Sequence, residues 1–142
     1  DFYMFTKNNK LLSLLAFTTI FLLSGCDLED VSADLSTKTP DMSVSCSKML
    51  SEVEANETRA AKKYENKIIQ ISGNVDSVDE DLWGNPQINL SSGDEWDFNS
   101  CTLGGVSESK AISLDKGDAV TFTCNNFMEM IGSASLSNCS SS

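Results

Sequence analysis

The sequence predicts a small α+β domain, mainly β, in which an N-terminal amphipathic helix is followed by five strands closing into a small barrel. Three observations lead there. Apolar residues recur at helical spacing beyond Ser47, and they recur at every second position in later runs. Turn residues separate those runs at short, regular intervals.

The helical segment comes first. Met49, Leu50, Val53, Ala60, Ala61 and Tyr64 fall near one face, while Glu52, Glu54, Glu57, Arg59, Lys62 and Lys63 occupy the others. Ser45 or Ser47 suits the N-cap, Lys62 and Lys63 suit the negative end of the helix dipole, and Asn66 ends the run. Ile69, Ile71, Gly73 and Val75 then alternate with polar neighbours, a strand with glycine at a bend. A second strand over 87–91 follows the Gly84-Asn85-Pro86 turn. Ser92-Gly93-Asp94 makes a hairpin turn into a third strand over 96–102, with Trp96 and Phe98 on one side. The stretch 104–114 holds at most a short helix, and Lys116-Gly117-Asp118 turns the chain. Strands over 119–124 and 134–139 complete the set, and no internal repeat is evident.

Upstream of the domain the chain has a different character. Lys7 and Lys10 precede an apolar run over 11–23, which ends in Leu23-Ser24-Gly25-Cys26. Thirteen residues are too few to span a bilayer comfortably, and basic, apolar and small residues in that order describe a secretory signal. Met4 is the expected start; Asp1, Phe2 and Tyr3 have no explanation in this scheme. The closing tetrapeptide resembles the lipobox of bacterial lipoproteins, which implies acylation of Cys26 and attachment to a membrane through several fatty chains. Asp27 next to the lipidated cysteine favours the inner membrane in enterobacteria. The expected organisation is a signal peptide over 1–25, a lipidated cysteine and flexible acidic tether over 26–44, and a domain over 45–142 facing the periplasm.

Charge and composition exclude several functions. There are 21 acidic and 10 basic residues; without Asp1, Lys7 and Lys10 the mature part keeps 20 and 8, a formal charge of −12. A single arginine, Arg59, makes a phosphate backbone a poor ligand unless the lysines gather on one face. No histidine is present, which removes the commonest general base and metal ligand and every His-assisted nucleophile. Two Ser-x-x-Lys strings, Ser45 to Lys48 and Ser107 to Lys110, share a spacing with some acylating enzymes but occur readily by chance. No enzyme activity, catalytic residue, metal site or cofactor is expected. Beyond Cys26, the even set Cys46, Cys101, Cys124 and Cys139 predicts two disulfides of an exported domain, and spacing leaves all three pairings open.

One further similarity is carried by Asn56, Ala60 and Tyr64, then Gly73 and Val75, Gly84 and Pro86, Cys101, and Leu114. It continues through Lys116-Gly117-Asp118, Val120, Cys124 and Cys139. In this order the residues resemble the tRNA-anti-like OB-fold family, many of whose members are described as bacterial lipoproteins. The resemblance spans about residues 48–140 and implies a five-stranded OB-fold barrel. It departs from the family in the short segment 104–113, in Thr123 where a glycine commonly stands, and in the additional Cys46. In an OB fold the third and fifth strands lie parallel, which implies a Cys101–Cys139 bridge and leaves Cys46 for Cys124.

OB folds bind ligands across their second and third strands and the adjoining loops, which makes Trp83, Trp96 and Phe98 the ligand-binding candidates. The plainer expectation is that Trp96 and Phe98 fill the barrel while Trp83 sits exposed in its turn. Lys62, Lys63 and Lys67 read as a solvated helix end, and the acidic groups at 76–81 and 94–97 as solvated loops rather than calcium sites. The function expected is that of a lipid-anchored, non-enzymatic binding module in the cell envelope, for an envelope protein or small ligand. The alternatives are a nucleic-acid-binding OB protein and an inhibitor or immunity-type lipoprotein acting on an envelope enzyme or channel.

Overall fold

The computed structural model describes residues 35–142, which are mainly β with three short α-helices. The expected signal peptide, the expected lipidation site Cys26 and Asp27 lie outside the described residues. Six strands form one sheet: β1 (Met42–Ser45), β2 (Ile69–Glu80), β3 (Pro86–Ser91), β4 (Ser100–Leu103), β5 (Ala119–Met130) and β6 (Ser133–Ser141). Their order is β1-β2-β3-β4-β6-β5, and β5 returns to pair with β2, so five strands make a closed hydrogen-bonded circuit with β1 added alongside β2. β2 through β4 form the antiparallel meander expected, and β4 and β6 run parallel.

Gly73 marks the place where β2 changes partners. Ile69 to Asn74 pair with β5, and from Val75 onward the strand pairs with β3 through a register shift. A Cβ at Gly73 would approach the Leu90 side chain to 3.2 Å and Cys46 Cβ to 3.4 Å, so the glycine is needed for close packing.

The helical stretch is divided into α1 (Cys46–Ala55) and α2 (Glu57–Tyr64). Asn56 is the reason: its backbone is extended, and its side chain accepts the Arg59 N–H at 2.9 Å, starting a new helix. Ser45 caps α1 by accepting from Lys48 N, and Ser107 caps α3 (Glu108–Ile112) by accepting from Lys110 N. Both Ser-x-x-Lys strings are thus helix starts. The core is built from Met49, Leu50 and Val53 of α1, Ala60 and Tyr64 of α2, and the inward residues of β2 through β6. Tyr64 stacks obliquely on Phe127 of β5, ring centroids 5.1 Å apart.

Two expectations are corrected here. Residues 35–44 were expected to be part of a flexible tether, yet Leu35 is buried, a 3-10 turn over Leu35–Thr37 packs on β5 and β6, and β1 pairs in parallel with β2. Met42 and Val44 supply the half-buried alternation that anchors this short edge strand. The disulfides also differ: Cys46 is bonded to Cys101 and Cys124 to Cys139. Register explains it. On the parallel β4–β6 pair Cys101 stands opposite Ala134, so Cys139 lies five residues, about 17 Å, further along β6. Cys101 instead meets Cys46 at the start of α1, with Cα atoms 5.9 Å apart, and Cys139 meets its antiparallel neighbour Cys124 at 4.2 Å.

The link from β4 to α3 depends on Gly104 and Gly105, whose backbones run against β6. Gly104 N donates to Leu136 O, and its carbonyl accepts from Cys139 N. Gly105 has φ +70°, and a Cβ there would lie 2.8 Å from Asn138 N and 2.9 Å from Asn138 Cα. Gly105→Ala is therefore expected to cost about 2–3 kcal/mol, from a left-handed backbone combined with overpacking against a strand that cannot yield. A urea midpoint equal to that of the parent protein would contradict this close approach.

Candidate binding surface

The outer face of the meander, where OB folds bind, is a row of small polar groups. Ser77, Asn89, Thr102 and Ser135 stand opposite one another across β2, β3, β4 and β6. Asn89 donates to Ser77 Oγ at 3.0 Å and Asp79 Oδ2 at 2.9 Å, and its carbonyl oxygen accepts from Thr102 Oγ1 at 2.8 Å. The aromatic candidates are off this row, in loops at either end of β3.

Trp83 occupies the β2–β3 turn and is largely exposed, as expected. Asp81 builds that turn: its Oδ1 accepts from Trp83 N and Asn85 N, both at 2.9 Å. The Asn85 backbone N–H is the main cause holding the Asp81 carboxyl below the usual range, although solvent surrounds it. Trp96 and Phe98 lie in the β3–β4 loop and do not fill the core; they are 85% and 97% exposed. The expected third strand begins only at Ser100, because Asp94 and Asp97 take the backbone into turns. Asp94 Oδ1 accepts from Trp96 N at 3.0 Å and Asp97 Oδ1 from Asn99 N at 2.9 Å. The five steps of β3 hold this loop about 17 Å from the Trp83 turn, so the structure does not bring the three aromatics together.

An open cleft of about 710 Å³ runs beneath the β3–β4 loop, lined also by β2, β3 and Lys116-Gly117 of the turn that follows α3. Gly117 N donates to Val75 O and Val75 N to Asp118 O, which fastens that turn to β2. Asp76, Asp94, Glu95 and Asp97 line the cleft with one cation, Lys116, which stands 3.7 Å from Asp76. Phe98 forms part of its rim.

The sequence reading missed the β5–β6 hairpin. Ile131 and Gly132 form its two-residue turn with φ +51° and +82°, the geometry of a type I′ turn. Asparagine or glycine fits the first position readily. A β-branched residue there costs on the order of 1–3 kcal/mol, yet Ile131 is 96% exposed and buries nothing in return. Met128 and Met130 on the same hairpin are also exposed. The signal available in the sequence was an apolar residue standing before glycine between two alternating runs.

Among the described residues every buried side-chain nitrogen or oxygen has a partner, and no three Cys, Asp or Glu side chains are grouped to hold a metal. A charge-assisted cluster lies elsewhere, between the helices. Glu52 of α1 accepts from the Tyr64 hydroxyl and from Lys63 Nζ at 2.7 Å. Burial opposes the charge on Glu52, but these hydrogen bonds and the lysines outweigh it and hold the carboxyl below its usual range. Burial, followed by Glu52, pushes the Tyr64 phenol well above its usual value.

The architecture and surface define a small, disulfide-bonded, mainly β protein with loops that suit binding. The tRNA_anti-like family model matches residues 7–140, and the chain belongs to that family. Among solved structures it is similar to a candidate nucleic acid-binding lipoprotein from Klebsiella pneumoniae subsp. pneumoniae. The TM-score is 0.52 at 14% identity, over 70% of this chain and 91% of that one. No curated protein matches.

Proposed function

We propose that this protein is a non-enzymatic binding module, an OB-type barrel held in the bacterial cell envelope by lipid on Cys26. The observation that carries the binding role is the β3–β4 loop, whose Trp96 and Phe98 stand in solvent and whose Phe98 helps to line an open cleft. Two buried disulfides support an oxidising compartment outside the cytosol. The Klebsiella protein's description as a lipoprotein supports envelope association, as does the Leu23-Ser24-Gly25-Cys26 string. No helix of the described residues is long and apolar enough to cross a membrane.

The same relative favours nucleic acid as a second reading. Against it stand the four carboxylates and single lysine of the cleft, which would repel a phosphate backbone. Anisotropy titration with a labelled oligonucleotide separates the two. Affinity that falls steeply with salt would favour the second reading, and no binding at low salt the first.

Anchoring is tested in cells. The parent chain is expected in the membrane fraction with an acylated Cys26 by mass spectrometry, and Cys26→Ser is expected to leave that fraction. An unacylated parent chain recovered entirely in the soluble fraction would overturn the proposal.

A further inference from the structure

Among the described residues, five of the nine exposed large apolar side chains stand on two loops distant in sequence. The β3–β4 loop carries Trp96 and Phe98, and the β5–β6 hairpin carries Met128, Met130 and Ile131. The two meet at a seam. The Asn99 side chain lies over Gly132, where a Cβ would come within 3.2 Å of it, and Ser100 N donates to Ser133 Oγ at 3.2 Å. Phe98 and Ile131 each stand one residue from that contact. Apolar side chains gathered at one place on a small domain mark an interaction site more often than the same residues scattered singly.

What covers this patch is indicated by charge and by position. Asp94, Glu95 and Asp97 belong to the same loop, and Glu129 stands on the hairpin, accepting from Gly132 N at 2.9 Å. A surface both apolar and acidic disfavours anionic headgroups and polyanions and complements a basic, apolar protein segment. Position agrees. The 3-10 turn at Leu35 packs beside the C-terminal end of β6, near Cys139, Ser140 and Ser141. The patch adjoins the N-terminal end of the same strand, eight steps or about 27 Å away. A domain tethered through its N-terminal segment can thus present the patch away from the bilayer.

From this arrangement we infer that the β3–β4 loop and the β5–β6 hairpin together form a docking surface for a cationic, apolar segment of a partner protein. The inference rests on the binding-module reading above. Ile131 supplies the test, because asparagine suits its backbone better than isoleucine does. Ile131→Asn should leave the thermal midpoint equal to or above that of the parent while removing the apolar tip of the site.

The probe is a fluorescent amphipathic peptide of alternating leucine-phenylalanine and lysine faces. It is titrated by anisotropy against the full chain in phosphatidylcholine nanodiscs, with empty discs subtracted. The isomer with glutamate for lysine is the charge control, and phosphatidylglycerol vesicles and a thymidine oligonucleotide are competitors. Expected are binding by the lysine peptide only, no competition, at least tenfold weaker binding for Ile131→Asn and for Phe98→Ser, and weakening with added salt. Equal binding by both variants, displacement by vesicles or oligonucleotide, or no binding overturns the inference. Binding insensitive to Phe98 and Ile131 but lost in Trp83→Ser overturns this surface while leaving a binding module in place.

Discussion

Cys46→Ala together with Cys101→Ala is expected to destabilise the domain by about 4 kcal/mol, more than the loss of the other bridge. The two cysteines are 55 residues apart, and closing so long a loop removes a large entropy from the unfolded chain. The Cys124–Cys139 bridge spans only 15 residues, for which the same reasoning gives about 3 kcal/mol. Against a typical net stability of roughly 5–15 kcal/mol, the first loss is severe. Both Cys46 and Cys101 are fully buried where α1 meets β3 and β4, so the alanines also remove packing. Urea unfolding of the two double variants checks the ranking. A larger loss for the Cys124 and Cys139 pair would contradict it.

Tyr64→Ala is expected to cost about 3–5 kcal/mol, because it empties a fully buried aromatic site between α2 and Phe127 and strips Glu52 of a donor. Tyr64→Phe isolates the hydroxyl and should cost about 1.5 kcal/mol at neutral pH, the range for a hydrogen bond to a charged group. The sign of the pH dependence follows from the two shifts. Glu52 is held below its ordinary value of 4.5 in the fold, so its contribution is present above that value and lost as acid protonates the folded carboxyl. Tyr64 is raised, so its contribution is complete below its unfolded value of 10.0 and declines only in stronger alkali. Thermal midpoints of the parent and Tyr64→Phe should therefore differ most between about pH 5 and 10 and converge in acid. Parallel curves through acid would show that the hydroxyl does not depend on the charge of Glu52.

The parts of the fold legible in the sequence are those where local chemistry and long-range packing agree. The alternation at Ile69, Ile71 and Val75, the Gly84-Asn85-Pro86 turn and the Lys116-Gly117-Asp118 turn all appear where the pattern put them. The helix break was present as a signal, since Asn56 before Glu57 is a good cap, but the apolar stripe runs across it and conceals it. β1 was missed because Met42 and Val44 are two apolar residues in a polar stretch, too few to register as a strand. Trp96-Asp97-Phe98 imitates strand alternation, and only the competing hydrogen bonds of Asp94 and Asp97 reveal a loop. The disulfide pairing depends on the register of β4 against β6, which period-two patterning cannot fix. The binding candidates were partly legible: the aromatics were found, but the hairpin that adjoins two of them was not.

The pairing of Met42 to Ser45 along Ile69 to Ser72 decides where the chain tolerates a cut. A cut before Leu35 would leave every described strand in place. One after Ser45 would strip away a hydrogen-bonded sleeve and leave the first half of β2 with bare amides and carbonyls, an adhesive seam open to a strand from any other chain.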